Sequence, residues 1–451
     1  MNDRQDDRPH DHRRLGRELE LFGTDPLMGA GLPYWLPDGA AVRHALEEYV
    51  RDTERRAGYQ HVYSPVLGKR ELYEISGHWS HYNEDMFPPM DLGGGSGDAG
   101  RSGGVGGDGG GARADDGEPA GEQLVLRPSL CPHHALIYRS RARSYRELPL
   151  RMAELGGMFR AERSGVLGGL GRVRAIQLND AHVFCTPDQV AEEAYAALEL
   201  IRGAYRALGI RPARYRLSLP GPGGKYVAGA ELWERSAALL RDVLARSGEP
   251  YEAVAGEAAF YGPKIDVQIA DPAGRESTLS TVQADFHQPE RFDLRYVGAD
   301  GARHRPVMVH RSVIGSLERA VAHLIEVHGG AFPAWLAPVQ VVVLPVSDAE
   351  TGQAVRLVRR CLDQGLRARL AGPEQGTLGA RIRAARLVPY QAVIGAREAA
   401  DDLVSLRLRD GRRLEARPAD EVLSRVGARV GAYDTALWDG DQGADRGAAV
   451  R

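Results

Sequence analysis

The sequence predicts an α+β domain on an antiparallel sheet, followed by a small α/β domain with a largely parallel sheet. Three observations carry this reading. Up to Trp335, strand-like and helix-like segments mix without regular alternation, as in α+β domains. From Val341, the run Val341-Val342-Val343-Leu344-Pro345-Val346 is continuously apolar, as in strands covered on both faces, and it opens a β-α-β-α-β order. Finally, 451 residues are too many for one core, since domains hold ~100–200 residues each.

The elements follow in order. After Pro37-Asp38, Val42, Leu46, Tyr49 and Val50 share one helical face, and Gly58 marks the stop. His61–Val66 and Leu124–Pro128 read as strands. Thr186-Pro187-Asp188-Gln189 is a capping box with proline at the first helical position. It predicts a helix from Thr186 to Gly209 whose apolar face carries Val190, Ala194, Ile201 and Leu208. A helix over 229–247 leads to Ile265, Val267 and Ile269, whose alternation predicts a half-buried strand. A helix over Val313–Val327 is expected to end at Gly329-Gly330. In the second domain the expected elements are helix 350–364, strand 366–370, helix 377–387 and strand 390–394. The end from Tyr433 reads as a polar, frayed tail, and no internal repeat is present.

Composition narrows the function classes. With 58 basic and 61 acidic residues the net charge is −3, which excludes a uniformly basic nucleic-acid coat but leaves room for a local basic face. Of the basic residues only Lys69, Lys225 and Lys264 are lysines. Cys131, Cys185 and Cys361 have no paired spacing, and no apolar run reaches the ~18 residues of a membrane span. A cytoplasmic protein is the expectation. Fourteen of the 55 glycines fall between Gly93 and Gly121, a stretch with almost nothing to bury and therefore expected to be disordered.

Two groups of residues carry candidate chemistry. Arg151 to Arg174 is dense in Arg, Glu and Gly: two strand-like pieces joined by a glycine-containing loop would set several guanidinium groups around one anion. A solvated hairpin with ordinary surface arginines is the plainer alternative. No GxxxxGKS phosphate loop is present, which disfavours that class of ATPase. Cys131 in Pro128-Ser129-Leu130-Cys131-Pro132-His133-His134, His182 in Asp180-Ala181-His182 and His310 after Val309 form a plausible zinc shell with one open place. They lie far apart in sequence, and taken singly each is more often a satisfied core residue.

Together these segments resemble the threonyl-tRNA synthetases, of the class II aminoacyl-tRNA synthetases. The resemblance rests on Asp11-His12-Arg13-Arg14-Leu15-Gly16, Gly77-His78-Trp79, Leu148-Pro149-Leu150-Arg151-Met152-Ala153-Glu154, Arg172-Val173-Arg174, Asp180-Ala181-His182, Phe260-Tyr261-Gly262-Pro263-Lys264 and His310-Arg311-Ser312-Val313-Ile314-Gly315-Ser316-Leu317-Glu318-Arg319. It implies a class II catalytic domain over 11–334, interrupted by the glycine-rich insert 92–122. An anticodon-binding α/β domain over 335–432 follows, with a disordered 1–10 and a polar tail 433–451 outside them. It implies that Arg160 and Glu162 hold the ATP α-phosphate and adenine, with Arg172 near the outer phosphates. Arg319 is the arginine that stacks on adenine, and Ile176 and Gln283 also line the nucleotide site. Asp180, Tyr261, Ser129 and Arg160 face the amino acid, with Asp180 accepting the threonine hydroxyl. Cys131, His182 and His310 hold one Zn2+ per chain, and Mg2+ accompanies ATP. Pro65 belongs to motif 1, the homodimer element. Arg381, Arg383, Arg386, Arg407 and Arg409 are candidate contacts to the threonine tRNA.

The implied activity is a threonine–tRNA ligase without a cis-editing domain. Several positions depart from the family pattern. Ser129-Leu130 stands for Met-Asn, Ile176 for an adenine-stacking Phe, Leu178-Asn179 for Gln-Asp, and Ser277-Thr278 for an aromatic or His followed by Gln. These leave two alternatives open: an inhibitor-insensitive second copy, or a repurposed paralogue that activates another β-hydroxy amino acid for a biosynthetic acceptor.

Overall fold

The structure, a computed structural model, describes residues 10–92, 122–223 and 226–439. Of the disorder expected over 1–10 and 92–122, residues 1–9 and 93–121 lie outside these residues, as does the tail beyond 439, while Leu92 and Glu122 are paired strand residues.

The larger sheet has eight strands: β1 (Gln60–His61), β2 (Leu150–Phe159), β3 (Ala175–Cys185), β4 (Arg214–Leu219), β5 (Tyr251–Ala255), β6 (Lys264–Ala270), β7 (Glu276–Asp285) and β8 (Val307–Ser312). Their spatial order is β5-β4-β6-β7-β8-β3-β2-β1. All neighbours are antiparallel except the edge pairs β5·β4 and β3-distal β1·β2, which are parallel.

Helices α1 (Pro37–Arg56), α3 (Val190–Leu208), α4 (Ala230–Ser247) and α5 (Leu317–His328) cover one face, while α2 (Cys131–Arg139) lies on the other. The strand pleat sorts side chains between these layers. Ala181, Val183, Val309, Val282, Ile265 and Val267 enter the core under the helices. Their neighbours Asp180, His182, His310, Gln283 and Asp266 turn to the opposite face. The expected half-buried strand at 265–269 is therefore buried on both faces, Asp266 and Gln268 included, because β6 sits inside the sheet with chain above and below it.

Most helices form where their periodicity predicts. In α1, Pro37 sits in the first turn, and Val42, Leu46, Tyr49 and Val50 are all buried. Each such side chain contributes about 1.5–3 kcal/mol. Two starts differ. Helix α3 begins at Val190 rather than Thr186, because residues 187–189 form a turn first, although Gln189 does reach back to the Thr186 N–H at 3.0 Å. Helix α5 begins at Leu317 rather than Val313. Gly315 takes the left-handed conformation (φ 64°), where an added Cβ would meet the Leu279 carbonyl, and Ser316 then caps the helix by accepting from Arg319 N.

Outside this sheet, Met90–Leu92 and Glu122–Leu126 pair antiparallel, with Leu92 opposite Glu122. The glycine-rich stretch thus joins two hydrogen-bonded strand ends, a place where loop length costs little, since closure entropy grows only with its logarithm.

The second sheet contains β9 (Val341–Pro345), β10 (Ala368–Leu370), β11 (Tyr390–Ile394), β12 (Leu403–Leu408) and β13 (Arg417–Pro418), in the order β10-β9-β11-β12-β13. Strand β9 is parallel to both neighbours, while β12 and β13 add antiparallel. Residues 433–439 are not a frayed polar tail. The Tyr433 ring meets Tyr49 and Trp335 edge-on at 4.8 and 5.2 Å, and Leu437 and Trp438 are each 6% exposed in the second core. Tyr390 OH donates to the Leu437 carbonyl at 2.8 Å. Polar letters around three apolar anchors hide this from composition.

Candidate active site

The register of β3 against β8 sets His182 directly opposite His310, and β7 against β8 sets Gln283 opposite His310. Cys131, the first residue of α2, comes down onto the same face. The ligand atoms of Cys131, His182 and His310 lie within 4.8 Å of one another, and all three residues are buried. His310 Nδ1 is 3.4 Å from Cys131 Sγ, while its Nε2 donates to Asp285 Oδ2 at 2.8 Å. Ser129 Oγ lies 2.9 Å from the same sulfur. His182 Nε2 is buried without a hydrogen-bond partner, and burial pushes the His182 pKa well down, which keeps its lone pair free. One thiol and two imidazoles with an orphaned nitrogen between them fit a thiophilic, imidazole-binding ion such as zinc.

A cavity of about 260 Å³ opens beside this trio, lined by Ser129, Cys131, Arg160, Ile176, Leu178, Asp180, Tyr261, Thr278, Gln283, His310 and Arg319. Nine of the twelve residues singled out for the site line this cavity; the other three are Arg172 and Glu162, ion-paired with each other at 2.7 Å, and His182, whose Nε2 is 3.9 Å from Asp180 Oδ2. Burial raises the Asp180 carboxyl to about 6. Tyr261 donates to Gln283 Oε1 at 2.8 Å and stacks on His310 at 5.0 Å.

The arginines occupy distinct states. Arg319 donates to the Thr278 carbonyl at 2.8 Å and the Gly171 carbonyl at 3.3 Å, which fixes it across the cavity from Ile176. Burial, then the charges of Arg160 and Arg172, lower its pKa. Arg160 has no side-chain hydrogen bond or ion pair among the described residues. Three guanidinium groups clustered tightly enough to oppose one another, one of them unengaged, form a site for a polyanion.

The departures from the family pattern separate by face. Ser129, Ile176, Leu178 and Thr278 line the cavity. Asn179 points away from it: its Nδ2 donates to Glu54 Oε1 at 2.7 Å and its Oδ1 accepts from Val313 N at 3.0 Å. An aspartate there would face Glu54 with a second carboxylate.

Sequence reasoning missed several residues. A second cavity of about 340 Å³ shares Ser129, Arg160, Tyr261 and Gln283 and adds His78, Tyr82, Lys264 and Asp266. His78 and Lys264 stood in quoted motifs without a role. His134, which holds His182, likewise stood in the quoted Cys131 segment without a role, and Asp285, which holds His310, carried no signal beyond its residue type.

Two of the candidate RNA arginines are structural. Arg381 is 3% exposed and donates to the Pro345, Ala371 and Gly376 carbonyls, and Arg409 is held by the Phe332 carbonyl. Arg383 and Arg386 are exposed and Arg407 half-buried.

Glu318, at the start of α5, is 4% exposed and accepts from Gln177 N at 3.1 Å. Burial raises its carboxyl from 4.5 to about 7. The folded pKa lies above the unfolded one, so this group favours folding below pH 4.5 and loses that contribution as pH rises to about 7. Glu318→Gln is expected to stabilise the protein at pH 8 by roughly 1–3 kcal/mol and to leave it unchanged at pH 4.5. Urea unfolding at the two pH values checks this, and an equal shift at both defeats it.

Residues 115–328 match the tRNA synthetase class II core domain (G, H, P, S and T), and residues 340–429 match the anticodon binding domain. The RNA binding domain of threonyl-tRNA synthetase from Cryptosporidium parvum Iowa II superposes with a TM-score of 0.81 and 32% identity, covering 94% of this chain and 99% of that one. The chain belongs to the threonyl-tRNA synthetase family. Threonine–tRNA ligase of Streptococcus pyogenes (serotype M5, strain Manfredo) is 49% identical to this threonyl-tRNA synthetase family member over 361 residues, 79% of this chain and 52% of that protein. The chain therefore spans about half the length of the curated relatives it matches. Prolyl-tRNA synthetase of Giardia lamblia, at 17% identity and a TM-score of 0.68, shares the class II fold of the threonyl family.

Proposed function

We propose that the protein is a threonine–tRNA ligase. It would activate threonine with ATP to the adenylate, releasing pyrophosphate, and esterify the 3′ end of a threonine tRNA. The observation that carries this is the Cys131–His182–His310 trio opening into a cavity that also holds Asp180 and the unengaged Arg160.

Cys131 Sγ, His182 Nε2 and His310 Nδ1 would hold zinc. Bound there, zinc supplies Lewis-acid places for the amino and hydroxyl groups of threonine. Asp180 accepts the threonine hydroxyl proton's hydrogen bond, and Tyr261 and Gln283 close that side of the cavity. The threonine carboxylate attacks the α-phosphorus in line and pyrophosphate leaves. Arg160 grips the α-phosphate, Arg172 the outer phosphates with Mg2+, and Arg319 and Ile176 sandwich adenine beside Glu162. The arginines offset the charge that moves onto pyrophosphate, so no covalent enzyme intermediate is needed.

Arg383, Arg386 and Arg407 are the remaining candidates for tRNA contact. Tyr63, Val66 and Leu67 flank Pro65 and are 80%, 41% and 36% exposed, which supports homodimerisation through this segment. No helix among the described residues is long and apolar enough to cross a membrane, consistent with the proposed cytoplasmic location.

The protein carrying zinc is expected to catalyse threonine-dependent ATP–pyrophosphate exchange. Serine, one methyl smaller, should be slower by about 10–200-fold, and valine, which lacks the hydroxyl, by 10⁴-fold or so. Cys131→Ala should lose the bound zinc together with the exchange. No exchange with threonine, or faster exchange with another amino acid, overturns the threonine reading. The second outcome would favour the repurposed paralogue, which the cavity positions of Ser129, Ile176, Leu178 and Thr278 make specific. Full zinc content in Cys131→Ala overturns the metal assignment.

A further inference from the structure

Each residue of the buried trio is gripped from behind, and one grip is longer than the others. His310 is held by Asp285 and Cys131 by Ser129, each in a single step. Behind His182 stands a second histidine. His182 Nδ1 lies 2.7 Å from His134 Nδ1, and His134 Nε2 lies 3.1 Å from Glu154 Oε2. Glu154 in turn accepts from Ser64 Oγ at 2.7 Å and from Arg127 Nη2 at 2.9 Å. None of this is surface decoration: His182 and His134 are 0% exposed, Arg127 1% and Glu154 3%.

The protons in this chain are determined by counting donors and acceptors. Two ring nitrogens 2.7 Å apart must share one proton, so one ring donates and the other accepts. His182 Nε2 faces Cys131 and His310 and has no hydrogen-bond partner, Asp180 Oδ2 standing 3.9 Å away. A nitrogen that binds a metal must be unprotonated, so a neutral His182 carries its proton on Nδ1 and donates it. His134 Nδ1 is then the acceptor, which places the His134 proton on Nε2, aimed at the Glu154 carboxylate. Glu154 can only accept while ionised. Burial opposes that, but the hydrogen bonds from His134 and Ser64 and the Arg127 charge outweigh it. Every link permits one arrangement only.

We propose that Glu154 and His134 form a positioning relay that locks His182 in its Nδ1–H tautomer and aims Nε2 at the metal. The relay rests on the zinc reading above and deepens it. Neither residue touches substrate; both act through His182. Strand β2 supplies Glu154, α2 supplies His134 and β3 supplies His182, so the relay also ties the helix that carries Cys131 to the strand that carries the second ligand. Outer partners of this kind typically change metal affinity by 10–100-fold.

The test compares zinc affinity of the full-length wild type, His134→Leu and His134→Asn by competition with a chromophoric chelator. Asn keeps an acceptor oxygen where Nδ1 stood, whereas Leu fills similar space without one. His134→Leu is expected to bind zinc ten- to hundredfold more weakly, and His134→Asn within about threefold of wild type. Unchanged affinity in His134→Leu overturns the relay, as does equal weakening in both variants, which would mark His134 as a packing residue. Should His134→Leu not fold, ring 15N–1H spectra of the zinc-loaded wild type decide. Protons on His182 Nδ1 and His134 Nε2 support the relay, and the reverse pattern overturns it. A wild type that binds no zinc defeats the metal reading itself, an outcome distinct from all of these.

Discussion

Arg160→Ala is expected to slow threonine-dependent pyrophosphate exchange by about 10²–10³-fold while leaving the unfolding midpoint almost unchanged. The asymmetry comes from its surroundings. Arg160 lines both cavities yet has no side-chain partner among the described residues, so truncating it orphans nothing in the folded protein. The same freedom leaves its whole donor fork for a phosphate. Arg160→Lys should recover only part of the rate, because an ammonium is a point charge without the bidentate geometry. Arg172→Ala should be milder: its side chain is 51% exposed and already paired with Glu162, so water screens its charge. Stopped-assay exchange rates for the three variants test this, and a loss below fivefold in Arg160→Ala removes Arg160 from the phosphate site.

Arg311→Met is expected to cost about 3–5 kcal/mol of stability at pH 8. Arg311, fully buried on β8, donates to Glu54 Oε1 at 2.6 Å and lies 4.1 Å over the Tyr59 ring. Glu54, on α1, also meets His61 at 2.7 Å and Asn179 at 2.7 Å. Burial works against the Glu54 charge, but Arg311, His61 and Asn179 together lower its pKa. In the wild type the folded pKa lies below the unfolded one, so Glu54 stabilises the protein above pH 4.5 and loses this as pH falls. Without Arg311, burial dominates and the sign reverses: the variant should be closer to wild type at pH 5, where Glu54 can take up a proton, than at pH 8. Adding Glu54→Gln should restore much of the loss. Urea unfolding of the single and double variants at both pH values measures this; a loss independent of pH would mean that packing, not the stranded carboxylate, sets the cost.

Much of the architecture was legible because it is written in local periodicity. The apolar faces of α1 and α3, the apolar run of β9 and the β-α-β-α-β order after it depend on residues within a few positions of one another. The misplaced starts of α3 and α5 have local causes of another kind: a turn at 187–189 and a left-handed Gly315 packed against the Leu279 carbonyl, neither visible as hydrophobic pattern. Residues 433–439 misled for the opposite reason. Their composition is polar, and only contact with Tyr49, Trp335 and Tyr390 shows that Tyr433, Leu437 and Trp438 are anchors.

The site divides along the same line. Motif order in the chain was sufficient to name Cys131, His182, His310, Asp180 and the three arginines, since each stands in a recognisable short segment. Which of them meet, and what holds them, depends on strand register. His182 opposes His310 across two strands distant in sequence, and an alternating pleat sends Asn179 to Glu54 while its neighbour Asp180 faces the cavity. On the helix Leu378–Ala384, likewise, Arg381 turns inward to backbone carbonyls while Arg383 stays in solvent. Residue type sets what a side chain can bind; the sheet sets which face it reaches, and a shift of one residue would exchange the two faces.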